Sequence, residues 1–142
     1  RAQRYVRWKP NASTYASRTM MFSGLIVLAY LIYHLLHFTF GKTHPEHFAL
    51  VDEAGRHDVY SMVVLGFQQP LVSATYIVAN AILAVHLSHG IGSLLQTLGF
   101  NHPKWTPAID KAGPAIAFAL FVGYASLPLS VLLGFVTLPN GG

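Results

Sequence analysis

Apolar and polar positions along this chain fall into long blocks instead of alternating with the period of a surface helix or strand. No Lys, Arg, Asp or Glu occurs from Thr19 to Gly41, from Val59 to Pro103, or from Ala112 to Gly142. Each block holds an apolar run of the roughly 20 helical residues needed to cross about 30 Å of hydrocarbon. The pattern predicts an all-α integral membrane bundle, one domain over 1–142, with three transmembrane helices at about 13–40, 70–98 and 113–138. An Asn11 or Ser13 cap after Pro10 suits the first start. Pro114 is expected in the first turn of the third helix, where no donor is needed, and Pro128 as a kink within it.

The loop from Gly41 to Gln69 breaks at Gly41-Lys42-Thr43-His44-Pro45. It then carries His57 to Phe67 with apolar residues on one side, which predicts a short helix lying in the interface. Tyr60, Phe67 and Tyr76 suit an aromatic belt at that interface, as do Trp8 and Trp105 at the opposite one.

Composition agrees with a membrane. Of 142 residues, 10% are charged and 53% hydrophobic, against roughly 25% charged in a soluble domain. An aromatic content of 13% excludes disorder. The absence of cysteine excludes a disulfide scaffold and a cysteine-held metal or cluster. Arg1, Arg4, Arg7, Lys9 and Arg18 precede the first span with no acidic residue among them, and Lys104 and Lys111 stand against Asp110 before the third. The positive-inside rule then puts the N-terminus and the 99–112 loop in the cytoplasm and the C-terminus outside. These basic residues flank spans as anchors do, so the formal charge of +4 does not indicate nucleic-acid binding. A start at Arg1 with no signal peptide is expected of the later part of a longer or processed chain.

The candidate chemistry lies in the histidines. Of the eight, His34 and His37 fall in the first span and His86 and His89 in the second. Ionisable side chains at membrane depth are costly and face a bundle interior, a cofactor or a pathway. With no acidic residue in the expected spans, hard-metal ligands and a carboxylate relay are missing. Neutral imidazoles in an apolar bundle suit bis-histidine haem, whose saturated iron serves electron transfer. Gly90 and Ser93 share a helical face with His86 and would let a flat macrocycle approach the backbone. The same small residues equally suit plain helix packing, and each histidine equally suits an interhelical hydrogen bond. Two i, i+3 pairs on separate spans favour ligation. Depth separates the two spans' histidines. His34 lies roughly 10 Å inside Gly41 and His86 roughly 24 Å inside Pro70, so two irons are expected, each lacking one axial ligand in this chain.

Arg18-Thr19-Met20, Gly24 and Tyr33-His34-Leu35-Leu36-His37-Phe38 resemble the membrane cytochrome b subunit of succinate dehydrogenases and fumarate reductases of the b558 type. So do Asp58-Val59-Tyr60, Gly66-Phe67-Gln68, His86-Leu87-Ser88-His89-Gly90 through Ser93, and Gln96-Thr97-Leu98-Gly99. The order holds over nearly the whole chain, which is similar to helices three, four and five of a five-helix family. The resemblance implies two b haems, with His34 ligating the one farther from the cytoplasm and His86 the nearer. His37, His89, Gly90, Ser93 and Arg18 form a second tier that would touch a haem edge, a propionate or a quinone.

The resemblance further implies a bacterial cytoplasmic-membrane anchor of respiratory complex II, serving the tricarboxylic acid cycle. Its partners would be a flavoprotein subunit, an iron–sulfur subunit and a two-helix segment supplying the two missing histidines, with menaquinone or another quinone as acceptor. No dicarboxylate site is expected in this chain. A two-haem subunit of a formate dehydrogenase or hydrogenase, or a haem-free structural subunit, are the alternatives. His44, His47, His57 and His102 are expected to be solvated loop histidines. The charge asymmetry makes the topology testable: a reporter within Asn101 to Thr106 should be accessible only from the cytoplasm and one after Gly142 only from outside.

Overall fold

The computed structural model describes residues 15–100 and 104–138. The expected N-terminal cap, Trp8 and His102 lie outside them. The described residues form α1 (Tyr15–His34), a π-helical turn (Leu35–Thr39), α2 (Pro45–Phe48), α3 (Val59–Gln68), α4 (Pro70–Thr97) and α5 (Thr106–Leu132). Thr19–Thr39, Pro70–Leu95 and Thr106–Leu132 are each long and apolar enough to cross a membrane. At 28 residues, α4 extends about 42 Å. The only β pairing among the described residues is a single bridge between Val51 and His57.

The third span begins and ends earlier than the 113–138 expected from charge. Pro107 occupies the first turn, where its fixed φ favours helix initiation and its missing N–H costs nothing. Asp110 and Lys111 therefore ride on the helix near its start. Pro114 lies in the interior together with Pro128, not in the first turn, so both remove a backbone donor inside the helix.

The central element is α4. It packs along its length on α5 and on one side against α1. Contact with α5 is close because Gly113 has no side chain: a Cβ there would lie 2.7 Å from the Ser88 carbonyl oxygen. The α1–α4 pair is antiparallel, with Ser23 beside His86 at one level and His34 beside Tyr76 at the other. The Asp58 carboxylate caps α3 by accepting from the Ser61 N–H at 3.0 Å. The Ser61 hydroxyl, and then that N–H, hold its carboxyl below the ordinary range. Gln69 is extended, as a residue before proline prefers, and this separates α3 from α4. Across that break the buried Ser73 hydroxyl donates to the Phe67 carbonyl at 2.6 Å.

The short helix is thus found where expected, but its apolar face packs on the bundle. Met62, Val64, Gly66 and Phe67 are buried, and the core cluster is Val64, Phe67, Val72, Tyr76 and Val131. Phe67 and Tyr76, expected in an aromatic belt, are 5% and 3% exposed. Tyr60 is the exposed one of the three, and its hydroxyl donates to the Thr137 carbonyl. Trp105 is exposed, with the Lys104 ammonium 5.4 Å from its ring centroid.

Tyr76 is the hub of the core. Its ring packs against Tyr30, Tyr33, His34, His37, Phe38 and Phe67. Its hydroxyl lies 3.0 Å from His37 Nδ1, a buried bond between the π turn and α4. By contrast, Phe22, Leu25, Leu28, Leu31 and Ile32 of α1 are exposed, an apolar face left for lipid or further helices.

Two substitutions test this packing. Gly41 ends the first span at φ 59°, and a Cβ there would overlap the Phe48 ring. Gly41→Ala should lower stability by more than the about 1–2 kcal/mol that left-handed backbone costs an L-residue, read as a fall in the unfolding midpoint in detergent. Tyr76→Phe removes one interhelical hydrogen bond and should cost about 1 kcal/mol in the same assay.

Candidate functional site

The four histidines of the first two spans occupy four different environments. His86 is half-buried on α4, with Nδ1 3.0 Å from the Ser23 hydroxyl oxygen. That hydroxyl also lies 3.0 Å from the Met20 carbonyl of its own helix. A hydroxyl has one proton, and the carbonyl can only accept it. Ser23 Oγ–H therefore donates to Met20, and His86 Nδ1–H donates to Ser23 Oγ. In that arrangement Nε2 is unprotonated, the form in which imidazole binds a metal. Gly24 lies beside the ring: a Cβ there would stand in van der Waals contact, 3.4 Å from His86 Cε1.

His34 ends α1 and is also half-buried. Tyr30, Phe38 and Tyr76 flank its ring at centroid distances of 6.1, 5.8 and 6.0 Å. Its Nδ1 is buried and has no hydrogen-bond partner among the described residues. An orphaned ring nitrogen at this depth is unusual, and it shows that His34 does not serve as a bridge between these helices.

His37 does serve as one. It is 2% exposed, bonded to Tyr76 and stacked on Phe38 at 4.0 Å. Its Nε2 faces Gly66, where a Cβ would come within 3.3 Å. The π turn carries His37 into this pocket; such turns are common where a side chain must be re-aimed. His89 is exposed on α4. Gly90 has open space at its missing Cβ and Ser93 is exposed, so the face next to His86 is left uncovered. Arg18 lies on α1, and its side chain is outside the described residues.

His86 and His34 are therefore not brought together. Level with His86 on α1 is Ser23, eleven residues before His34; level with His34 on α4 is Tyr76, ten residues before His86. Both helices give a separation of about 15 Å along the bundle, too far for one iron. Between the two levels runs an open groove of about 510 Å³ lined by Ile26, Tyr30, Tyr33, Val78 and Ile82 among others. The donor set fits haem: two imidazoles in apolar surroundings, one oriented by a hydrogen bond and one whose buried Nδ1 has no partner among the described residues.

Sequence reasoning missed several polar positions. Ser23 and Asn80 give no signal beyond being polar within a span, yet Ser23 orients His86 and Asn80 is 7% exposed. His44 and His47 are half-buried instead of solvated, and both approach the Glu46 carboxylate. Hydrogen bonding to its own backbone N–H and to His44 holds that carboxyl below the ordinary range. The His-x-x-His spacing after a glycine break, with Pro45 in a helix-starting position, was the available signal.

A family model described as the succinate dehydrogenase/fumarate reductase transmembrane subunit matches residues 2–133. Comparison with curated proteins and with solved structures gives no match. With that match over most of its length and three helices long and apolar enough to cross a membrane, the chain belongs to the succinate dehydrogenase/fumarate reductase transmembrane subunit family.

Proposed function

We propose that this chain is the haem-binding anchor of its complex, with His34 and His86 each supplying one axial ligand to a separate b haem. The observation that carries this is the contrast within each i, i+3 pair. His86 keeps Nε2 free because Nδ1 is tied to Ser23, and His34 has no hydrogen-bond partner among the described residues. His37 has its Nδ1 committed to Tyr76 and its ring enclosed, and His89 is exposed. A haem held by two imidazoles carries single electrons and leaves no open position for oxygen.

The chain's own residues then have distinct tasks. Ser23 orients His86 and raises its basicity, as outer-shell partners of ligands do. Gly90 and Ser93 leave the α4 face next to His86 uncovered for a flat macrocycle. The aromatic shell of Tyr30, Phe38 and Tyr76 excludes water around His34. The second ligand at each level comes from a two-helix segment packed on the exposed α1 face. By family membership, the chain connects a flavoprotein and an iron–sulfur subunit at the cytoplasmic side with a quinone, menaquinone in our reading. The N-terminus then lies inside, the His86 level nearer the cytoplasm and the His34 level farther from it. A bridging role, which the haem-free alternative requires of all four histidines, is supported for His37 and, through Nδ1, for His86, but not for His34 or the exposed His89.

The test is spectroscopic, on the purified complex. His34→Ala should remove one b-type component from the reduced-minus-oxidised spectrum and His86→Ala the other, each leaving its counterpart. His37→Ala and His89→Ala should keep both. Ser23→Ala should keep both haems and raise the midpoint potential of the His86 component only. Loss of a haem in His89→Ala with both retained in His86→Ala would contradict the assignment.

A further inference from the structure

The turn between the π segment and α3 carries a second constellation, which none of the haem or quinone reading uses. Gly41 reverses the chain, and the Phe48 side chain packs where its Cβ would be. Pro45 then starts α2, and the His44 carbonyl accepts from the His47 and Phe48 N–H groups, both at 3.2 Å. This one-turn helix brings ligand atoms of His44, Glu46 and His47 all within 4.8 Å of one another. His44 Nδ1 is 3.1 Å and His47 Nε2 3.9 Å from the same Glu46 oxygen. The two imidazole rings lie parallel within 18° at 5.1 Å.

Two imidazoles converge on one carboxylate oxygen, but a single hydrogen bond satisfies only one of them. His47 Nε2 gains little from Glu46 at 3.9 Å. A cation between the three groups would engage them all. Tetrahedral ligands at bonds of about 2.0–2.1 Å stand about 3.3 Å apart, and the two observed separations bracket that value. The nitrogen donors select against calcium and magnesium, which take oxygen, and favour zinc and its first-row neighbours. The Glu46 side chain is 63% exposed, leaving a path for the ion and room for a water as fourth ligand. His37 is not a further ligand although its ring lies 5.2 Å from that of His44, because Nδ1 is bonded to Tyr76 and Nε2 faces Gly66.

We propose that His44, Glu46 and His47 form a binding site for one divalent cation of the zinc class. Bound there, the ion ties α2 into a fixed turn over the end of the first span, one ring away from His37. Nothing in this depends on haem ligation.

The test is calorimetric titration of Zn²⁺ into the tag-free, chelator-stripped membrane complex, with Co²⁺ as an optical probe of coordination. One saturable Zn²⁺ per chain is expected, with visible Co²⁺ bands of tetrahedral intensity. Outer-shell partners alone are worth about 10–100-fold in metal affinity, so Glu46→Gln should weaken binding at least about tenfold. His47→Ala should remove saturable binding. His57→Ala, an exposed histidine of the same loop packed on Phe48, should bind like the parent. Because Glu46 is exposed, Glu46→Gln tests the site without disturbing packing. The proposal is overturned by absence of saturable binding to the parent, by parental affinity in both Glu46→Gln and His47→Ala, or by an equal loss in His57→Ala.

Discussion

A polar side chain buried within a bilayer has no water to fall back on, so it is met by backbone, by another side chain or by a ligand. Two polar contacts between α1 and α4 obey this constraint and set the register of the bundle. Ser23 with His86 fixes one level, and the His37–Tyr76 bond just past α1 fixes the other. Such bonds are individually modest, averaging about 0.6 kcal/mol between membrane helices. Their larger effect is specificity, since sliding α1 along α4 would strand four polar groups in hydrocarbon. The separation of His34 from His86, and with it the two-site reading of the chain, follows from that register.

The same constraint makes His34 informative. Its neighbour three residues on has its Nδ1 bonded to protein, while His34 Nδ1 is buried without a partner among the described residues. The π turn between them is how one short stretch supplies both an interhelical tie and a free imidazole. An uninterrupted α-helix would set His37 on nearly the same face as His34. Within the wider turn, His37 sets Nδ1 on the Tyr76 hydroxyl and Nε2 toward Gly66.

Much of the architecture was legible from charge-free blocks, because a span is long and its composition unambiguous. The limits of α5 were not. Asp110 and Lys111 suggested a loop, whereas Pro107 starts the helix ahead of them. The fate of Phe67 and Tyr76 was equally hidden: an aromatic ring suits an interfacial belt or a core, and only the packing of α3 on the bundle decides for the core. The depth order of His34 and His86 could be counted from the sequence, and the antiparallel register gives the same order. Their hydrogen bonds could not, since Ser23 is one small polar residue among many and its pairing spans sixty-three positions. The His44, Glu46 and His47 cluster was overlooked because loop histidines are ordinarily solvated. Here a glycine reversal and a one-turn helix fold them inward.

The proposed function stands on one claim, that the two separate levels of imidazole hold two separate redox centres. A potentiometric titration of the purified complex, with haem and this chain quantified in the same sample, tests it most directly. The account predicts two b haems per copy of this chain, titrating as two one-electron components. One haem per chain, a single potential that accounts for all of it, or no haem at all would contradict it.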